Sequence, residues 1–305
     1  ADVDAYIIDT GVLIKHPEFQ GRARVGKSFT DDGDADGNGH GTHVAGTIGS
    51  ISYGVAKKVN LIAVKVLDGR GSGTISGVLG GIDWVAKEAP KSGRKSVANM
   101  SLGGGKSRAM EDAVKAAIKA GVVFAVAAGN SAGDACKLSP AGVAEAITVA
   151  ASDKNDKLAS FSEWGSCVDV IAPGVDITST WNNGKINTIS GTSMASPHVA
   201  GVVALALAEG NFSTPAAVEH YLKSVSSKDR VTGSLRSTPN NLLYNHVAGG
   251  KLPDDEPTEP TPPAEPTPGE PEPGEGECPF PQCIFDPACT SCCIGEECFV
   301  IPKFH

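Results

Sequence analysis

Ser190-Gly191-Thr192-Ser193-Met194-Ala195-Ser196-Pro197-His198-Val199-Ala200-Gly201 sets a serine where a Gly-Thr-Ser turn enters an apolar helix, read as residues 194–208. The start of a helix carries unpaired backbone N–H groups and a local positive potential. A serine placed there is flanked by donors for a developing oxyanion, its own N–H among them. Outward from this helix, the first 248 residues alternate short apolar runs with amphipathic stretches. Residues 5–8, 61–66, 96–100, 122–127, 146–149 and 168–171 are apolar, several are rich in Val and Ile, and they read as buried strands. Residues 41–50, 77–87, 108–120 and 215–224 read as further helices, with Gly121 stopping the one that starts at Arg108. Strands alternating with helices predict an α/β fold of three layers, a mostly parallel central sheet with helices on both faces.

The chain has 305 residues and a net charge of −9, unevenly spread. Residues 249–305 hold twelve Asp or Glu against two Lys, which leaves the first 248 residues nearly neutral. No basic patch suggests nucleic acid, and no apolar run approaches the roughly 20 residues that span a bilayer. The expected organisation is a catalytic-sized domain over 1–248, an acidic linker over 249–277 and a small module over 278–305. Between Lys251 and Glu277 lie nine prolines and nine acidic residues, a composition that extends rather than packs. The last module is too short for a core of its own and holds six of the eight cysteines. Disulfides in an oxidising compartment, hence secretion or a vacuole-like lumen, are the first reading, and zinc at Cys289-x-x-Cys292 is the rival.

Three further stretches carry chemistry: Asp9-Thr10-Gly11, Gly39-His40-Gly41-Thr42-His43 and Ala128-Gly129-Asn130. Together with Ser193 they offer an acid, a base, an amide donor and a nucleophile, the set needed for acyl transfer. Serine alone is a weak nucleophile and needs a base. His40, His43 and His198 all compete for that role on chemistry alone. Taken singly, Asp9-Thr10-Gly11 is an ordinary strand-ending turn and Gly129-Asn130 an ordinary loop.

Asp9-Thr10-Gly11, Gly37-Asn38-Gly39-His40-Gly41-Thr42-His43-Val44-Ala45-Gly46, Asn99-Met100-Ser101-Leu102-Gly103-Gly104 and the stretch around Ser193 together resemble the subtilisin-like serine proteases (subtilases), in their proteinase K-like branch. The resemblance covers about residues 5–245. It implies a subtilisin-like fold and a secreted serine endopeptidase, with Asp9 as orienting acid, His40 as general base and Ser193 as nucleophile. His43 and His198 then become structural. Asn130 and the Ser193 N–H form the oxyanion hole. Substrate pairs as an added strand between Gly71-Ser72-Gly73 and Ser101-Leu102-Gly103. Ala127, Ala128 and Gly129, with residues 101–103, wall the primary pocket. Small, uncharged walls imply broad specificity with a preference for apolar or aromatic side chains at P1, the residue preceding the scissile bond.

The resemblance also implies structural Ca²⁺, held by Asp169 and the carbonyls of Ala144 and Ala146, and a Cys136–Cys167 disulfide. A loop of that length is worth roughly 3–4 kcal/mol when closed. Asp31-Asp32-Gly33-Asp34-Ala35-Asp36-Gly37-Asn38 is a second run that either binds a cation or forms a solvated turn. Asn211-Phe212-Ser213 is a glycosylation sequon on an expected exposed turn, and Asn99-Met100-Ser101 a second one expected to be buried. Family members carry about thirty more mature residues before the counterpart of Asp9, and an inhibitory prodomain before those, so the domain over 1–248 reads as truncated at its N-terminus. The expected partners are protein and peptide substrates and that prodomain, with no nucleic acid and no membrane, acting on a monomer. The rival readings are an idle scaffold whose tail binds, and an active enzyme whose tail targets or inhibits.

Overall fold

The computed structural model describes residues 3–245, together with the backbone of two short strands, Ser291–Ile294 and Glu297–Val300. The linker and the rest of the cysteine-rich segment lie outside the described residues. The chain divides into two units, 1–256 and 257–305.

The first unit holds the strands β1 (Val3–Asp9), β2 (Ala23–Ser28), β3 (Asn60–Lys65), β4 (Lys95–Met100), β5 (Gly104–Gly105), β6 (Val122–Ala127), β7 (Leu138–Ser139), β8 (Ile147–Ser152), β9 (Val170–Pro173), β10 (Ile177–Thr180), β11 (Ile186–Ile189), β12 (Ser227–Lys228) and β13 (Asn241–Leu242). Its helices are α1 (His40–Gly49), α2 (Ile75–Glu88), α3 (Arg108–Lys119), α4 (Thr192–Glu209) and α5 (Pro215–Val225). Nine strands form one sheet in the order β12-β13-β9-β8-β6-β4-β1-β3-β2, parallel except for the β12–β13 pair.

Alternation along the central strands builds two cores. Ala5 and Ile7 of β1 face one way, into a cluster with Ile48 of α1, Val199 and Val203 of α4 and Leu222 of α5. Tyr6 and Ile8 face the other way, into a cluster with Val78, Ile82 and Val85 of α2 and Val114 and Ile118 of α3. A sheet buried on both faces needs continuous apolar strands, and β1, β6 and β8 are buried at every residue.

Because the central strands run parallel, they all discharge their loops at one edge. Asp9 ends β1, β3 leads into residues 67–73, β4 into 101–103, and β6 into 128–130. Ligand chemistry in such sheets gathers outside the carboxyl ends of the strands. Two elements depart from expectation. The strand β2 has only partly buried and exposed residues, so no apolar run marks it. The β10–β11 hairpin is also mixed in burial, and β10 packs on α1 rather than joining the main sheet.

Candidate active site

Asp9 is fully buried, and its Oδ1 accepts hydrogen bonds from Thr10 N and from His40 Nδ1, each at 2.7 Å. Its Oδ2 is buried without a partner. A proton on Nδ1 leaves the Nε2 lone pair of His40 free to act as a base. Burial pulls the His40 pKa down, but the charge and hydrogen bond of Asp9, with a smaller push from Asp36, outweigh it and leave the value raised.

Asp36 fixes the helix that carries His40. Its Oδ1 accepts from Thr10 Oγ1 (2.9 Å), Asn38 N (3.1 Å) and Gly39 N (2.8 Å), and its Oδ2 from Thr42 N (2.9 Å) and Thr42 Oγ1 (2.5 Å). Thr10 Oγ1 in turn accepts from Gly41 N at 2.9 Å. The end of β1 and the start of α1 are thereby tied through one buried carboxylate. Gly41 permits this approach, since a Cβ there would stand 2.1 Å from the Gly11 carbonyl. At its inner end the acidic run is a buried cap on this helix, while residues 31–35 and 37 are exposed, as a solvated turn would be. Asp32 is also engaged, by Thr30 Oγ1 (2.7 Å), Gly69 N (2.8 Å) and the buried Lys65 (3.4 Å).

Ser193 stands in the first turn of α4, as its motif predicts. Its hydroxyl donates to the Ser101 carbonyl at 3.2 Å, and Ser101 Oγ donates back to the Ser193 carbonyl at 2.8 Å. Asn130 Oδ1 accepts from Thr192 N (2.8 Å) and Thr192 Oγ1 (2.9 Å), which identifies that atom as the oxygen and leaves the amide nitrogen as a donor. The other two histidines have different surroundings. His43 is fully buried, its Nε2 lies 3.0 and 3.2 Å from the Ile177 and Asn187 carbonyls, and burial drives its pKa down to about 4. His198 Nδ1 bonds the Met194 carbonyl at 2.8 Å, and burial again lowers its pKa.

Two cavities adjoin this centre. One, of about 540 Å³, is lined by His40, by Gly71, Ser72 and Gly73, and by Ser101, Leu102 and Gly103. The other, of about 450 Å³, is lined by residues 101–103 again, by Ala127, Ala128 and Gly129, and by Asn130 and Ser193. All the residues assigned to substrate binding thus border these two spaces. The expectation of uncharged walls needs correction, because Glu163 also lines the second cavity. Nothing local in the sequence marks Glu163; it arrives through the pairing of residues 161–164 with 129–133.

Asp169 is largely buried, and burial pushes its carboxyl up to about 6 against the opposing Thr148 N–H and Lys223. Oδ2 accepts from Thr148 N (2.9 Å), and Oδ1 faces Lys223 Nζ (3.2 Å), which also pairs with Glu219 (2.6 Å). Asp169 offers the hard oxygen donor that Ca²⁺ takes, although Thr148 N–H and Lys223 engage its two oxygens in this arrangement. Cys136 and Cys167 are joined by a disulfide. Asp134 lies with these two sulfurs, but bridged sulfurs are not metal ligands. Asn99 is buried with its amide on Ser101 Oγ (2.9 Å), whereas Asn211 is exposed. No helix among the described residues is long and apolar enough to cross a membrane.

An aspartate, a histidine and a serine in the first turn of a helix, with an amide beside them at the edge of a parallel sheet, are arranged as in a subtilisin-type hydrolase centre. The Subtilase family model matches residues 6–244, and the chain belongs to that family. It is 54% identical over 265 residues to "Alkaline serine exoprotease A" of Vibrio alginolyticus, covering 86% of this chain and 49% of that protein. It is 50% identical over 266 residues to "Alkaline protease 2" of Aspergillus fumigatus, covering 80% of this chain and 54% of that one. A cold adapted subtilisin-like serine proteinase of known crystal structure superposes with a TM-score of 0.76 at 52% identity, covering 83% of this chain and 89% of that one. The chain spans about half the length of the curated relatives it matches.

Proposed function

We propose that the protein is a secreted serine endopeptidase working through Asp9, His40 and Ser193. The observation that carries this is the 2.7 Å Asp9–His40 contact at the same sheet edge as Ser193 and Asn130. Turning about χ1 frees Ser193 Oγ from the Ser101 carbonyl. As Oγ bonds to the substrate carbonyl carbon, its proton passes to His40 Nε2, and Asp9 stabilises the imidazolium. The carbonyl oxygen becomes an oxyanion, held by the Ser193 N–H and the Asn130 amide. His40 then protonates the leaving amine as the C–N bond breaks, leaving an acyl-enzyme. A water activated by His40 repeats the sequence and releases Ser193.

Residues 71–73 and 101–103 present glycine-rich backbone to an extended peptide between them. Ala127, Ala128 and Gly129, with Leu102, favour an apolar P1 side chain. Structural Ca²⁺ would be held by Asp169 and the Ala144 and Ala146 carbonyls, hard oxygen donors of the kind that cation takes, with Lys223 retained by Glu219. The substrates are proteins and peptides, the working form is a monomer, and an upstream prodomain inhibits it. Residues 1–248, 249–277 and 278–305 act as peptidase domain, acidic spacer and disulfide-stabilised module, a division supported by the change of composition at Gly249.

The test is labelling with a serine-directed fluorophosphonate, with Ser193→Ala as control. Labelling that disappears in the variant is the expected result. A folded protein that does not label removes the proposal.

A further inference from the structure

Beside Gly129, on the border of the primary pocket, lies a carboxylate that the hydrolytic steps do not use. Glu163 is 3% exposed, borders the primary pocket, and has its Oε2 buried without a hydrogen-bond partner. Its position is built rather than incidental. Ala132 N donates to the Phe161 carbonyl (2.9 Å), Glu163 N to the Gly129 carbonyl (2.9 Å) and Trp164 N to the Gly133 carbonyl (3.0 Å), so residues 161–164 are laced to the loop that carries Asn130. The side chain fills space that two glycines leave open. A Cβ on Gly129 would stand 2.5 Å from Glu163 Cγ, and one on Gly133 would stand 2.7 Å from Oε2. Gly129 is also held at φ +117°, a conformation that suits glycine.

A buried carboxylate is costly unless a cation or strong donor meets it. Among the described residues no ion pair includes Glu163, and the open space beside it is the pocket that receives substrate. Lysine and arginine join a long apolar stem to a charged tip. Such a stem suits Ala127, Ala128 and Leu138 along the cavity, and such a tip suits the carboxylate of Glu163, which also lines it.

We propose that Glu163 is a specificity-determining residue, which adds basic P1 side chains to the apolar ones that the pocket walls accept and excludes acidic ones. This rests on the peptidase reading of the same site. In the low dielectric of a filled pocket an ammonium–carboxylate contact strengthens, while a second carboxylate is repelled.

The experiment measures kcat/KM on peptides that differ only at P1, carrying lysine, norleucine, glutamate or phenylalanine, for the native protein and for Glu163→Gln. In the native protein lysine is expected to match or exceed norleucine, its uncharged analogue, and glutamate to be the poorest. In Glu163→Gln the lysine-to-norleucine ratio should fall about 10- to 100-fold, the worth of one charged hydrogen bond, and cleavage after glutamate should rise. A purely structural role would lower all four substrates together and leave the ratio unchanged, which overturns the proposal. So does a native protein that cleaves after norleucine far better than after lysine, a result that needs no variant.

Binding separates this from failure of the peptidase reading. Ser193→Ala protein should hold product-like peptides ending in lysine more tightly than those ending in norleucine, and should lose that difference with Glu163→Gln. Absent turnover with this difference intact rejects the peptidase reading alone. Turnover on phenylalanine with no difference rejects the role of Glu163 alone.

Discussion

Ser101 and Ser193 hydrogen-bond each other reciprocally, hydroxyl to carbonyl in both directions, at 2.8 and 3.2 Å. The cause lies four residues downstream of Ser193. Pro197 has no N–H to give to the Ser193 carbonyl within α4, and the hydroxyl of Ser101 takes that place. Asn99 Nδ2 holds Ser101 Oγ at 2.9 Å, and Ser196 Oγ holds Asn99 Oδ1 at 2.7 Å. Residues 99–101 and the first turns of α4 are therefore one network. Ser101→Ala leaves a buried carbonyl and a buried amide short of partners, at a cost of about 1–3 kcal/mol. Thermal unfolding should record that loss, and kcat should fall more than KM rises. An unchanged melting midpoint would show that the network does not bear on stability.

His40 must be neutral to take a proton. Burial lowers its pKa, and Asp9 with Asp36 more than reverses that effect. Activity should therefore rise with pH along an acid limb lying above the ordinary imidazole value of about 6.5. Asp9→Asn should move that limb to lower pH and reduce turnover by ~10,000-fold, because the imidazole loses its tautomer and its counter-charge together. A pH–rate profile whose acid limb does not move in the variant would contradict the assignment of Asp9.

With its oxygen committed to Thr192, the Asn130 amide can present only N–H to the cleft. Asn130→Ala should lower kcat about 100- to 1000-fold with little change in KM, since the donor matters most when the oxyanion forms. Equal losses in binding and turnover would instead assign Asn130 to positioning the start of α4.

Much of this architecture is legible in the sequence. The strand β6 is an unbroken apolar run, and α3 has apolar residues at helical spacing closed by Gly121, so pattern alone places both. The strand β2 has no such signal, because an edge strand with partly solvated faces carries no apolar run. In the site, Asp9, His40 and Ser193 stand in motifs dense enough to be read. The choice among three histidines is not open to local reading, since what sets His43 apart is the pair of carbonyls that β10 and β11 bring to it. Asp36 is legible in principle, as an acid three residues before Gly39 at capping distance from a helix start. Glu163 is not, because its place depends on backbone pairing between segments far apart in the chain.

Asp36 is 8% exposed and accepts five hydrogen bonds, four of them from residues 38–42 at the start of the His40 helix and one from Thr10. Asp36→Ala should destabilise the fold by more than about 2 kcal/mol, as buried donors lose a charged acceptor. Asp36→Asn keeps the shape and removes the charge. It should retain more stability and shift the acid limb of activity downward, because Asp36 helps to raise the His40 pKa. Identical melting curves for both variants and the native protein would show that the carboxylate is dispensable.

Asp169 and His43 shift in opposite directions on burial and so give the fold opposite responses to pH. Burial raises the Asp169 carboxyl from 3.8 to about 6, so the unfolded chain loses its proton first and stability falls as pH rises through that window. Burial lowers His43 from 6.5 to about 4, so between those values the unfolded chain holds a proton that the folded one lacks, and stability rises with pH. Each shift corresponds to about 3 kcal/mol. With calcium chelated, the two effects should nearly cancel between pH 4 and 6. Asp169→Asn removes one of them and should unmask a rise in stability with pH. Calcium prefers the ionised carboxylate, so its stabilising effect should grow over the same window and vanish in Asp169→Asn. Melting midpoints measured with and without chelator, on a Ser193→Ala background to prevent self-digestion, check all three expectations. Parallel profiles for Asp169→Asn and its parent in chelator would mean that the Asp169 carboxyl does not titrate in this window, and a calcium response retained in the variant would move the cation elsewhere.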